Sequence, residues 1–313
     1  MKNLQRVAHA KASRPPVVAP WEHLGQNRLP RSLAKLLRRS AVSIIGGLLV
    51  LCIIGVAILA PSIALHDPIA NDLSQRLQSP SHEYLFGTDE FGRDVFSRVV
   101  WGTRISLLVA CIVVSIAVIG GVTVGIVAGY FQGMIDIMVM RVIDIMLAFP
   151  ALLLALAVMA SLGSNLTNVM IAIAVAFLPR FARLQRAVVL AIRESEYMQA
   201  ARAAGASHRR VILRHLLPNC VAPIIVMATV SAADAILVEA SLSFLGLGVQ
   251  PPTPTWGGVI SDGREFLRNA PWVSTFSGAA IMITVLGFNL MGDGLRDLLD
   301  PRLRGEEVRR ASA

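Results

Sequence analysis

Residues 41–60 are twenty consecutive side chains without a charge, and apolar runs of similar or greater length recur near 105–130, 134–162, 164–182, 221–246 and 274–291. No other feature narrows the folding options so far. At about 1.5 Å per residue, twenty helical residues cover the roughly 30 Å hydrocarbon core of a bilayer. Composition agrees: of 313 residues, 55% are hydrophobic and only 16% charged, where about 25% charged is usual for a soluble chain. Two soluble domains, disorder, collagen and a small disulfide-stapled fold are excluded, and a chain whose solvent is largely lipid remains. The expectation is an all-α membrane protein with six transmembrane helices. A cleaved signal peptide carries an apolar stretch of only about 7–15 residues, so the first run is read as an uncleaved span ending at Pro61.

Within the second span, Gly121, Gly125 and Gly129 recur every four residues on one helix face, which admits a neighbouring helix at close range. No strand precedes them, so helix packing is preferred to phosphate binding. Pro150 marks a kink in the third span. The uncharged part of the fourth ends at Pro179 and Arg180, short for a lipid-facing helix, and it is expected to lie against the others.

Lys and Arg total 29 against 20 Asp and Glu, a net charge of +9. The excess sits in loops between apolar spans, so membrane lipid and not nucleic acid is the expected partner. Residues 1–40 hold nine basic side chains against Glu22 alone, and 180–219 hold eight arginines against Glu194 and Glu196. The 61–103 segment carries six acids against Arg76, Arg93 and Arg98, and the 161–168 turn carries no charge. Under the positive-inside bias these place the tail and the 180–219 loop in the cytoplasm and 61–103 outside. With six spans, both termini are then cytoplasmic.

Cys52, Cys111 and Cys220 lie in or beside apolar stretches with no paired spacing, which argues against a disulfide framework or a zinc site. His66, His82, His208 and His215 show no metal spacing, and no nucleophile elbow is present. A Walker A loop needs Gly-Lys followed by Ser or Thr, whereas the only lysines, Lys2, Lys11 and Lys35, do not follow a glycine. The chain is therefore expected to be no enzyme and to hold no cofactor. Any ATP-driven transport would need a separate hydrolase. Trp21, Trp101, Trp256 and Trp272 fall near presumed membrane edges, where interface anchoring is the expectation for most of them.

Ionisable side chains at mid-bilayer cost at least about 2.5–3.5 kcal/mol each. Asp136, Arg141, Asp144, Asp234 and Glu239 occupy such spans. Arg141 and Asp144, three apart on one helix face, suit a structural ion pair, with a substrate contact as the alternative. Asp234 and Glu239 are five apart and cannot share a narrow face; one of them facing the pore could meet a substrate amino group.

The most informative stretch is 196–219, EYMQAARAAGASHRRVILRHLLPN. Helix formers from Tyr197 to Ala204 run up to Gly205, Ser207 is placed to cap a second helical run, and Pro218 stops that run. Ala200, Ala201, Ala203 and Ala204 leave little side chain between the backbone and whatever docks there. A helix, a glycine turn and a helix with so little bulk suit close contact with another protein.

This segment resembles the coupling motif of permeases of binding-protein-dependent ABC importers: Glu-Ala-Ala, three residues, glycine, nine residues, Ile-x-Leu-Pro. Gln199, Ala200, Ala201, Gly205, His215, Leu217 and Pro218 occupy those positions with both spacings intact. Gln199 replaces the acid and His215 the isoleucine, so the helical elbow is implied but a salt bridge from position 199 is not. The resemblance covers about 85–305. The run from Gly87 to Arg98 with Gly102, Arg104, Ile105 and Ser106, then Arg141, Asp144, Phe149 and Pro150, are similar to C-type subunits of dipeptide/oligopeptide permeases. So are the run from Glu239 to Gly248 with Pro251, Pro252, Trp256 and Gly257, and the run from Asn289 to Pro301.

The resemblance implies the type I ABC importer permease architecture in the bacterial inner membrane. The chain then divides into 1–103 (basic tail, first span and external segment), a transport module at 104–303, and a 304–313 tail. It implies a second, B-type permease subunit, two ATPase subunits holding ATP and Mg, and a periplasmic or lipid-anchored substrate-binding protein. In that family the elbow sits in a groove of the ATPase and passes its closure to the membrane helices. Dipeptides or oligopeptides are the implied cargo, with glutathione or nickel as alternatives in the same family. A proton-coupled secondary transporter using Asp144 or Glu239 as relay is a reading from another class, but the two matching halves that usually mark it are not seen. A channel or scaffold is a third.

Overall fold

The computed structural model describes residues 31–299, with side chains from residue 41 onward. The basic side chains of the 1–40 tail, Trp21, Pro301 and the 304–313 tail therefore lie outside the described residues. The chain divides between Arg38 and Arg39; of the first unit only the start of one helix is described, and all contacts below belong to the second.

The first apolar run lies in α1 (Arg31–Ile63), which continues two residues past Pro61. After an irregular 64–94 segment come α2 (Val95–Phe131), α3 (Gly133–Leu147), α4 (Ala151–Leu162) and α5 (Leu166–Arg193). Two short helices, α6 (Glu196–Ala203) and α7 (His208–Val211), lead into α8 (Leu217–Phe244), α9 (Trp256–Gly263) and α10 (Trp272–Leu299). No strand forms among the described residues; one isolated antiparallel bridge joins Thr88 and Asp94. Five helices are long and apolar enough to cross a membrane, and α3 with α4 supplies a sixth span when the bent pair counts as one.

The centre is α2 against α5, and the glycine spacing explains why. The two helices run in the same direction: Gly121 lies over Leu178 and Phe181, Gly125 over Ala182 and Gln185, Gly129 over Arg186 and Val189. A Cβ on Gly125 would stand 2.5 Å from the carbonyl oxygen of Ala182, so this approach requires glycine. Val109, Val113, Ile173 and Phe177 fill the layer, and Ile236 of α8, Trp256 of α9 and Ile281 of α10 close it. Helix α10 also receives α1, with Gly46 beside Met291 and Gly287 beside Val50. Exposed Leu48, Leu51 and Ile58 on α1, and Met134, Ile137 and Met138 on α3, are surfaces suited to lipid.

Four expectations change. The third span does not merely kink at Pro150 but breaks, α3 and α4 meeting at 96°, with Pro150 extended (ψ 137°) at the α4 N-cap, because the residue before a proline and the proline itself both resist helical continuation. The fourth helix does not end near 180: α5 runs through buried Pro179 to Arg193. One missing donor is outweighed there by packing along α2. Pro218 does not stop the elbow's second helix, which continues from His208 to Phe244. Finally, α9 stands in what looked like a loop, capped by Thr255, whose Oγ1 accepts the Gly258 N–H at 3.0 Å.

Candidate functional site

The 196–219 elbow is built by local chemistry. Helix α6 closes with a paired turn in which the Gly205 N–H donates to the Arg202 carbonyl at 2.9 Å and the Ala206 N–H to the Ala201 carbonyl at 3.1 Å. Gly205 takes φ +79°, the left-handed conformation this helix ending needs and glycine adopts without strain. Ser207 caps α7, as its position suggested, accepting the Arg210 N–H at 3.4 Å. Over Ile212–Leu216 the helix widens to a π register, the Leu217 N–H reaching the Ile212 carbonyl. In an ordinary α-turn the Pro218 ring would press on the Arg214 carbonyl; the wider turn just before it lets the chain pass through as helix.

One face of the elbow is fixed to the membrane helices. Met198, Val211, Leu216 and Cys220 are buried together with Val122, Ile126 and Tyr130 of α2 and Val189 of α5. The Tyr130 hydroxyl meets His208 Nδ1 at 2.7 Å, and the Arg202 guanidinium lies 5.3 Å over the Tyr130 ring. Asn219 Nδ2 donates to the Tyr197 hydroxyl at 3.2 Å and to the His215 carbonyl at 2.6 Å, clasping the two arms. The other face is open. Gln199, Ala200, Ala203, Ala204, Gly205 and Pro218 are exposed, while Ala201, His215 and Leu217 are half-buried. Gln199 turns its amide back to the Glu194 carbonyl at 3.2 Å, and a Cβ on Gly205 would meet nothing within 4 Å.

The intramembrane charges form a different set of pairs from the one expected. Asp144 is held by Arg183 of α5, not by Arg141, because three-residue spacing offers a neighbour but the half-turn of α5 beside α3 offers a better-aimed guanidinium. Arg141 is exposed on the same helix. Three arginines of α5, three residues apart, each reach a different acid: Arg180 to Asp234 at 3.0 Å, Arg183 to Asp144, and Arg186 to Asp136 through two hydrogen bonds of 2.5 and 2.6 Å. Each three-residue step rises about 4.5 Å and turns the side chain by about 60°, so the arginines fan from α8 toward α3. Glu239, by contrast, is 1% exposed; Ser243 Oγ donates to its Oε1 at 2.8 Å, and its Oε2 has no partner among the described residues. Of the two acids on α8, only Asp234 reaches an open face.

At the opposite end of α2 sits a buried charge knot that the sequence reading missed. Asp89 accepts from Arg93 Nε at 2.7 Å and from Arg98, and both arginines extend to Asp262 of α9 at 3.2 and 2.9 Å. Asp94 caps α2 through the Phe96 and Ser97 amides and also meets His66 at 3.2 Å. The motif from Gly87 to Arg98 is thus a clamp tying the 64–94 segment to α2 and α9. Trp256 and Trp272 belong to it: their indole N–H groups donate to the Val99 and Thr88 carbonyls at 3.0 and 3.1 Å. Trp256 is buried, so interface anchoring does not describe it.

Comparison with known proteins decides the family. A family model described as the inner membrane component of binding-protein-dependent transport systems matches residues 121–305. The chain belongs to this family. It is a multi-pass inner-membrane protein, and a second model, the N-terminal transmembrane domain of oligopeptide transport permease C, matches 31–80. The permease is 47% identical over 92% of its length to the dipeptide transport system permease protein DppC of Alkalihalophilus pseudofirmus, covering 91% of that protein. It is 46% identical to the di/tripeptide permease DppC of Pseudomonas aeruginosa over 83% of this chain and 88% of that one. With the glutathione permease GsiD of Pectobacterium atrosepticum the identity is 42%, over 85% and 89%. Among solved structures, the inward-facing MetNI methionine ABC transporter shares the fold, with TM-score 0.56 and 18% identity over 66% of this chain and 97% of that one.

Proposed function

We propose that this permease is one of two membrane subunits of an ATP-driven importer that moves dipeptides or oligopeptides into the cell. The cargo reading is supported by relatives at 42–47% identity that are dipeptide and di/tripeptide permeases. Glutathione, itself a small peptide, is the second cargo because a 42% identical relative carries it.

The observation that carries the coupling mechanism is the two-faced elbow, fixed behind and bare in front. ATP and Mg are held and hydrolysed on partner ATPase subunits, and this chain supplies a lever and a path. With the elbow in the cytoplasm and both termini on that side, Gln199, Ala200, Ala201, Gly205, His215, Leu217 and Pro218 form the surface seated on the ATPase. Its absent bulk allows backbone-to-partner contact. When the ATPases close on ATP, the elbow moves with them. Buried Met198, Val211 and Leu216 pass the displacement to α2 and α5, and the continuous 208–244 helix passes it to α8. Because packed helices shift as units and not as fluids, the movement reaches mid-membrane and opens the path outward. Arg141 and Asp144 line the intramembrane surface beside it. Transport then needs a B-type permease subunit and a substrate-binding protein. The working division remains 1–103, 104–303 and 304–313.

The test is uptake of radiolabelled Ala-Ala into proteoliposomes holding the complete importer. Accumulation is expected only with the ATPase subunits and ATP present, and excess unlabelled glutathione distinguishes the second cargo by competing. Accumulation without the ATPases, driven by a proton gradient, overturns the reading.

A further inference from the structure

We propose that Arg180 and Asp234 form a charged station in the translocation path, where Asp234 takes the free ammonium and Arg180 the free carboxylate of a peptide in transit. This rests on the importer reading above and names the chemistry it would apply to cargo.

The Arg183–Asp144 pair, one step nearer the elbow, is also open, at 60% and 50%; the Arg180–Asp234 pair is the one that joins α5 to α8 deeper in the span. The charge pattern of the sequence puts Arg180 at the start of the cytoplasmic loop, but it continues α5 fourteen positions from the Leu166 end, about 21 Å along the helix and short of the roughly 30 Å core. Asp234 stands ten residues from the Phe244 end of α8, about 15 Å along that helix. Both side chains are half-exposed, at 39% and 42%. Charges at that depth cannot face acyl chains at a cost of about 2.5–3.5 kcal/mol each. An open face there borders either water or another protein chain.

The bonding is also unsaturated. Of the five N–H donors of a guanidinium, Arg180 engages one among the described residues, with Asp234 at 3.0 Å. Arg186, nearer the elbow, closes a two-bond fork on buried Asp136, a finished structural contact. The Phe177 ring lies 5.2 Å from the Arg180 guanidinium and steadies it without using its donors. Two opposite charges with spare valences present the complement of a zwitterion. A dipeptide's termini lie about two residues, or ~7 Å, apart, so cargo enters by parting the pair, which α5 and α8 permit when they shift relative to each other. With the path empty, the two side chains neutralise one another.

The test uses the complete importer and Ala-Ala. Neutralising both partners, Arg180→Gln with Asp234→Asn, is expected to lower maximal uptake at least about tenfold, with KM and the ATPase rate stimulated by loaded binding protein each within about twofold. A pair serving only to join helices predicts the reverse: the singles fail, and the neutral double, which leaves no unpaired charge, recovers. Recovery overturns the station. Independently, with Cys52, Cys111 and Cys220 changed to alanine, Asp234→Cys is expected to react with a water-soluble methanethiosulfonate in the assembled importer and to be shielded by Ala-Ala with ATP. No reaction in the assembled importer places the pair against a neighbouring subunit and also overturns it. If the parent complex moves no Ala-Ala, the importer reading falls and the station with it; if the parent moves it and the neutral double matches that rate, the station alone falls.

Discussion

At Gly205 the backbone sits at φ +79° with open space where a Cβ would project. Most other L-residues there bear about 1–2 kcal/mol of strain, and a bulky side chain protrudes from the face proposed to meet the ATPase. Gly205→Leu is expected to reduce peptide uptake at least about tenfold while the protein still inserts, whereas Gly205→Asn, which tolerates the left-handed conformation, keeps uptake within about threefold. Radiolabelled uptake alongside membrane-fraction immunoblots reads both. At the other end of the molecule, Asp89→Asn leaves Arg93 and Arg98 with too little negative charge in a buried knot, and a loss of about 3–5 kcal/mol is expected in denaturant unfolding of the purified complex. Beside it, burial and then the carboxylates of Asp262 and Asp89 hold Glu90 above its ordinary value of 4.5. A carboxyl raised in this way contributes stability that is complete below its ordinary pKa and lost as pH rises through the folded one. Glu90→Gln is therefore expected to match the parent's melting temperature near about pH 4 and to exceed it increasingly toward about pH 7.

Among the elements, the α2–α5 contact is the least tolerant. A Cβ at Gly125 meets the Ala182 carbonyl oxygen at 2.5 Å, and backbone cannot step aside. Gly125→Ala is expected to cost about 1–3 kcal/mol, seen as a lower melting temperature, and to impair uptake, since this pair is proposed to carry the elbow's motion. The four-residue glycine repeat and Ser207 were readable because each announces its role through near neighbours. What was not readable depends on partners far along the chain. Asp144 pairs with Arg183, 39 residues on, and Arg98 with Asp262, 164 residues on, while the sequence offered only Arg141 three places away. Likewise Pro179 and Pro218 are helix breakers by local rule. Packing on α2 in one case and a π turn in the other set that rule aside.

For the whole molecule, the six apolar runs were legible from length and charge, and among the described residues they return as five candidate helices and one broken pair. The break at 148–150 and the short α9 give the bundle its irregular parts, neither of which an apolar period signals. The elbow's seven motif residues lie within one contiguous 20-residue stretch, which is why a spacing pattern suffices to mark it. Its two faces became visible only with the buried anchors Met198, Val211 and Leu216 in place. Those anchors make the elbow a stiff extension of α2, α5 and α8 and not a loose loop. The central claim is that work enters through its bare face. The direct measurement places a photo-crosslinking residue at Gln199 or Ala203 in the complete importer in native membranes. A cross-link to the ATPase subunit is predicted, with a yield that changes when ATP is bound. A cross-link to the substrate-binding protein on the external side, or none to the ATPase while uptake continues, would contradict the account.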